Sequence, residues 1–270
     1  MSKFLALQRL NQPWLISHQM FGQLRDTINA WDDNLTAEMP EEDSYSEING
    51  IALLSLKGTM MKNPTAIERV FLGATCTGQL CASINEIGKN PNIKGVLLDV
   101  DSGGGSVQGV IEASEALRGL HEQKPVVTFT DGMMASASYW VGSQATTIVA
   151  SPSARVGSIG VYVPVIDYKE QYAEQGINVE VITNKDGIYK GAGLEGTSLT
   201  DEQKAQIQDE VEDIYGEFKN SVLSSRSVPS DAMQGQAFMG KRATEKNLID
   251  AVGDFEDAIY LLGQEMKNRA

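Results

Sequence analysis

Histidine and cysteine are nearly absent from this 270-residue chain, with two of each. His18 lies near the start and His121 among charged neighbours, while Cys76 and Cys81 stand five apart in one helical stretch. No set of soft ligands with metal-binding spacing can be built from them, so no metal centre is expected and both thiols read as reduced core residues. Positive charge is also scarce: 22 Lys and Arg against 36 Asp and Glu give a net charge of −14. Such a surface repels phosphate backbones, and no basic run offsets it, which excludes nucleic acid as the expected partner. Long apolar runs are missing as well. Neither a span of about eighteen apolar residues nor an apolar core within residues 1–20 is present, so no signal peptide, no membrane contact and a cytoplasmic location are expected.

What is present is enough apolar material, 41% of residues, to build a full core. Residues 1–49 have weak periodicity and end in the acidic segment Glu38-Met39-Pro40-Glu41-Glu42-Asp43, which reads as a loosely attached arm and linker. Within it, Ile16, Met20, Leu24, Ile28 and Trp31 fall at helical spacing, so a short amphipathic helix is expected over 16–31. From Gly50 to the C-terminus short β-branched runs alternate with helical segments. Strands are expected at 51–56, 96–100, 126–129, 147–149, 160–163 and 179–182, and helices at 79–88, 107–121, 136–144 and 168–175. Near-continuous apolar strands alternating with helices imply an α/β domain, 50–270, with a mostly parallel sheet covered on both faces.

The clearest helix begins after Leu199, where Thr200 and Gln203 form a capping box ahead of the stripe Ile207, Val211, Ile214, Phe218, Val222. The tail 243–262 reads as helix, short strand, helix.

Three stretches carry chemistry. In Met133-Met134-Ala135-Ser136-Ala137-Ser138-Tyr139-Trp140 a polar segment turns into a helix start lined by small side chains. Ser136 reads either as an ordinary helix N-cap or as a nucleophile beside N–H groups able to hold an oxyanion. Asp101-Ser102-Gly103-Gly104-Gly105-Ser106 lacks the Lys of a phosphate loop and the spacing of a dinucleotide loop, leaving a tight turn or an oxyanion hole. A serine nucleophile needs a base, and neither histidine is well placed for one. A lysine serves when burial lowers its pKa, and Lys190, among the glycines of Gly187-Ile188-Tyr189-Lys190-Gly191-Ala192-Gly193, is either that base or a solvated loop residue.

Together with Ile51-Ala52-Leu53-Leu54-Ser55-Leu56-Lys57-Gly58, Val156-Gly157-Ser158-Ile159-Gly160-Val161 and Asn247-Leu248-Ile249-Asp250-Ala251-Val252-Gly253, these motifs resemble the signal peptide peptidase A-like serine peptidases. The match runs from about Gly50 to Leu262. It departs where the family's Ser-Pro-Gly-Gly is Ser102-Gly103-Gly104-Gly105, and where its Ser-Gly-Gly-Tyr is Ser136-Ala137-Ser138-Tyr139, making Ser138 a rival nucleophile. The resemblance implies an αβ-spiral fold of the Clp protease and crotonase type. It further implies Ser136 as nucleophile, Lys190 as general base and Ser158 as the hydroxyl that orients the lysine.

The expected chemistry is acyl transfer to Ser136, with the oxyanion between the amides of Ala137 and Gly104 or Gly105, and with no cofactor. Two other readings use the same fold: a crotonase-like acyl-CoA enzyme, and a proteolytically inactive assembly protein. The absence of an anchor and the acidic surface resemble the phage-encoded branch of the family, which implies scaffold or capsid proteins as substrates, assembly with copies of itself, and action in the bacterial host cytoplasm. A bacterial housekeeping peptidase is the alternative.

Overall fold

The computed structural model describes residues 13–17, 21–22, 25–27 and 45–269. In chain order its elements are β1 (Trp14–Ile16), β2 (Ser46–Ile48), β3 (Ile51–Lys57), β4 (Met60–Met61), α1 (Ala66–Leu72), β5 (Thr75–Cys76) and α2 (Thr77–Lys89). Then come β6 (Gly95–Asp101), β7 (Gly104–Ser106), α3 (Val110–Gln123), β8 (Val126–Thr130), β9 (Met133–Ala135), α4 (Ala137–Gly142), β10 (Thr147–Ala150) and β11 (Arg155–Gly157). The chain closes with α5 (Lys169–Glu174), α6 (Asp201–Ser225), a 3-10 turn (Ser230–Ala232), β12 (Ala237–Met239), α7 (Gly240–Glu245), β13 (Ala251–Val252) and α8 (Phe255–Asn268).

The topology repeats. Each circuit adds one strand to a large sheet, then a short strand to a second layer, and then returns through a helix, as in β6-β7-α3 and β8-β9-α4. The large sheet therefore runs β13-β10-β8-β6-β3-β2, with the strands from β3 to β13 parallel and in chain order and β2 antiparallel at the edge. This winding is an αβ-spiral, and the fold class is α/β. The short strands form two further sheets, β1-β7-β4-β5 and β12-β11-β9, joined by a bridge between Ser102 and Met134. Such a winding carries each chain crossing from the large sheet into the second layer at one end of the domain; the glycine loop lies at one such crossing, and Ser136 lies just past β9, where the chain turns into α4.

Burial follows the pattern expected of a two-faced sheet. Leu54, Leu56, Val96, Leu98 and Val100 pack with α2, α3 and α4, while Leu97, Val127, Phe129 and Val149 meet Ala258 and Leu262 of α8 on the other face. Helix α6 is held at its C-terminal half: Phe218 and Val222 are buried, and the Phe218 ring stacks on Trp140 at 4.7 Å and 4° between planes. Such a stack adds about 0.5–1.5 kcal/mol to the burial itself. Its capping box at Thr200 and Gln203 forms as the sequence indicates.

Three expectations differ from the structure. Residues 14–16 are a strand and not the start of a helix, and Trp14, Leu15 and Ile16 are 0, 0 and 3% exposed, so this part of the arm belongs to the core. Antiparallel pairing with β7 fixes it as a strand. The helix expected over 16–31 is helical at 21–22 and 25–27; its other positions beyond Ser17, with His18 and the acidic segment 38–43, lie outside the described residues. The runs 160–163 and 179–182 form no strand: Tyr162 makes one bridge, to Trp14, and Ile182 is 89% exposed. The first run meets the edge of β1 at that one residue, and the second is mostly exposed, so β-branched residues that suit a sheet find no ladder to join.

Candidate active site

Ser136 sits between β9 and α4 with φ 58° and ψ −119°, a conformation that a non-glycine residue adopts only under constraint. The constraints are backbone bonds: Ser136 N–H donates to Gly157 O at 2.7 Å, and Trp140 N–H donates to Ser136 O at 2.9 Å. Its hydroxyl makes no capping bond to the helix, which removes the ordinary N-cap reading. The side chain is thus free of a structural task, at a helix start whose first N–H groups have no intrahelical partner. Below it, Tyr139 anchors the helix through a bond from its hydroxyl to Leu248 O at 2.9 Å. Burial pushes the Tyr139 phenol far up, so it stays a donor at any working pH.

Ser138 has a different role from Ser136. It is 0% exposed, its hydroxyl accepts from Ala135 N–H at 2.9 Å, and it lies 2.7 Å from Ser102 O, to which it donates. Ser138 therefore pins the Ser136 turn to the glycine loop, and its oxygen is fully engaged.

The glycine loop is β7 with its approach. Ser102 donates through its hydroxyl to Gly58 O and accepts from Gly104 N–H at 3.2 Å. Gly104 has φ 100°, and a Cβ there would stand 2.0 Å from Leu15 O and 3.0 Å from both Ala135 O and Ala137 N. Only glycine fits this position. Gly105 is equally constrained, since a Cβ would lie 1.9 Å from Met60 O. Gly104 therefore lies directly beside the Ala137 nitrogen that follows Ser136, while its own N–H is taken by Ser102.

Ser158 follows β11, the parallel neighbour of β9, in which Gly157 is the register partner of Ala135. It has φ 53°, donates its N–H to Gln236 O at 2.7 Å, and lines a cavity of about 760 Å³ with Ile16, Tyr162, Val211 and Tyr215. Lys190 is placed elsewhere. It is exposed in a loop, its N–H bonded to Gly187 O at 2.9 Å, and it lines a separate recess of about 340 Å³ with Thr183, Ser198 and Gln203. Among the described residues, then, the fold packs Gly104 beside Ala137, sets Ser158 just after the strand that pairs with β9, and places Lys190 in an exposed loop.

His18 lies outside the described residues, and His121 shares a 2.8 Å hydrogen bond with Thr146 at the end of α3. Among the described residues no cluster of His, Cys, Asp or Glu could hold a metal ion, and no helix is long and apolar enough to cross a membrane. Cys76 and Cys81 are both free thiols.

Residues 118–269 match the model of peptidase family S49. The chain belongs to that family. Among curated relatives it is 30% identical over 192 residues to the chloroplastic serine protease SPPA of Arabidopsis thaliana, covering 69% of this chain and 28% of that one. It is 25% identical over 229 residues to capsid assembly protease C of Escherichia phage lambda, covering 84% and 52%. With the head-tail preconnector protein GP5 of Enterobacteria phage P21 the identity is 26% over 227 residues, covering 83% and 45%. The chain thus spans about half the length of these phage relatives and less of the plant one. An enoyl-CoA hydratase structure from Mycobacterium smegmatis, 10% identical, covers 83% of this chain and 77% of its own with a TM-score of 0.46.

Sequence reasoning missed the β1 strand and the clasp made by Ser138. The signal for the first was Pro13 followed by three large apolar residues. The second was legible only as a hydroxyl where the family pattern has glycine.

Proposed function

We propose that this protease is a serine endopeptidase in which Ser136 is the nucleophile, Lys190 the general base and Ser158 the hydroxyl that orients the lysine amine. The observation that carries the reading is the uncapped Ser136 hydroxyl, held at φ 58° beside the Ala137 amide and the Gly104–Gly105 strand. Neutral Lys190 takes the Ser136 proton as Oγ attacks a peptide carbonyl, and the oxyanion is held by the amides of Ala137 and Gly105. The same lysine then protonates the leaving amine, and water, deprotonated in turn, releases the acyl group. No cofactor takes part.

Lys190 needs cover to work as a base. Its loop carries the exposed apolar residues Ile182, Ile188, Tyr189 and Leu194, which a second copy of the chain would bury. We therefore take the working form to be a homo-oligomer in which assembly brings Lys190 into a site. The two phage relatives, named for capsid assembly and for the head-tail preconnector, support scaffold or capsid proteins as substrates inside the bacterial host cell. Co-expression with neighbouring head genes tests this: trimming is expected with the unaltered chain and not with Ser136→Ala, and its absence in both refutes the substrate assignment.

A further inference from the structure

The edge of β7 that faces Ser136 is already occupied. Strand β1 runs antiparallel along it with Trp14 opposite Ser106, Leu15 opposite Gly105 and Ile16 opposite Gly104, and Ser17 N–H donates to Gly103 O at 2.6 Å. In an antiparallel ladder bonded pairs recur every second residue, so the Ser17–Gly103 bond makes Leu15 and Gly105 a bonded pair. The Gly105 N–H thus points at the Leu15 carbonyl, and that same oxygen and the Ala137 nitrogen crowd one point, 2.0 and 3.0 Å from where a Gly104 Cβ would stand. A backbone carbonyl stands where the reacting carbonyl of a peptide would have to stand.

The other edge of β1 is paired too. Trp14 N–H donates to Tyr162 O at 3.0 Å, and Tyr162 N–H donates back to Trp14 O at 3.3 Å. Three residues of extended chain are therefore sandwiched between the glycine strand and the segment that follows Ser158, the way a peptide adds to open sheet edges. The side chains are seated as well: Ile16 enters the cavity that Ser158 lines, and the Trp14 ring meets Phe21 edge-on at 5.8 Å, with Phe21 against Tyr162 at 5.6 Å. In this arrangement Ser136 is 1% exposed.

We infer that this groove is the peptide-binding site, that it takes an extended peptide of large apolar residues, and that Trp14–Ile16 is an internal occupant that must leave before substrate enters. The inference rests on the reading of Ser136 as nucleophile. It assigns the substrate class as an aromatic–aliphatic–aliphatic run in β conformation, and makes the single chain self-blocked.

The test measures binding in the full chain with Ser136→Ala, using a fluorescent decapeptide of the sequence of residues 11–20. Adding Leu15→Asp, which puts a charge on the blocking strand, should tighten peptide binding at least tenfold. In the chain with an unaltered strand, excess peptide should speed hydrogen exchange at the amides of residues 14–17. Equal binding by both chains, or amides of 14–17 that stay protected under saturating peptide, overturns the inference. So does a Leu15→Asp chain that loses its cooperative unfolding transition and is not restored by the peptide, since Leu15 would then be an ordinary core residue. Because binding is read without chemistry, a groove that binds in a protein that never cleaves refutes the peptidase reading alone; cleavage with residues 14–17 still protected refutes the blocking strand alone.

Discussion

Ser136 and Ser158 leave adjacent parallel strands at the same level, each in the left-handed region, at φ 58° and 53°. Two serines at positive φ side by side, one bonded through its N–H to the residue before the other, tie the ends of β9 and β11 together. If Ser158 orients the base, Ser158→Ala should lower kcat on the order of 10²-fold with KM little changed. An effect confined to KM would place Ser158 in substrate binding instead.

Ser138→Ala should separate support from chemistry. The hydroxyl shares the Ala135 N–H with Ser102 O and itself reaches Ser102 O in a fully buried position. Because the backbone bond between Ala135 and Ser102 survives, its loss should cost about 0.5–1.5 kcal/mol of stability while measurable cleavage remains. Denaturant unfolding and a peptide assay on one preparation check both halves. Activity abolished in a chain of unaltered stability would make Ser138 the nucleophile.

Lys190→Arg should be as inactive as Lys190→Ala, because a guanidinium stays protonated and cannot accept the serine proton. Side-by-side rates on the assembled protein decide this. Substantial activity in the arginine variant would limit Lys190 to holding substrate.

Stability should fall as pH drops through the histidine range. Burial, then the Arg269 charge, hold the His121 pKa below its ordinary value, so the unfolded chain takes up a proton that the folded one resists. The group therefore costs nothing above about pH 6.5 and destabilises progressively below it. His121→Gln should flatten the decline in melting temperature between about pH 7 and pH 5. An unchanged slope would assign the decline to other groups.

Much of this architecture is legible in the sequence because it rests on local signals. The parallel strands are aliphatic runs, and α6 is announced by the Thr200 and Gln203 capping box. Ser136 and the glycines were legible because close approach restricts those positions to small residues. The β1 strand was not, since its partner β7 is Gly104-Gly105-Ser106, which has no apolar pattern to match against. The run 179–182 misled for the opposite reason: its residues suit a sheet, but no strand offers it an edge. The assembly proposed to cover Lys190 would rest on contacts beyond one chain, which no local pattern encodes.

The most direct test of the Ser136 assignment is mass spectrometry of head proteins co-expressed with the unaltered chain, with Ser136→Ala and with Ser138→Ala. The account predicts discrete trimmed products with the first, none with the second and a reduced yield of the same products with the third. Trimming that persists at full yield in Ser136→Ala would contradict it.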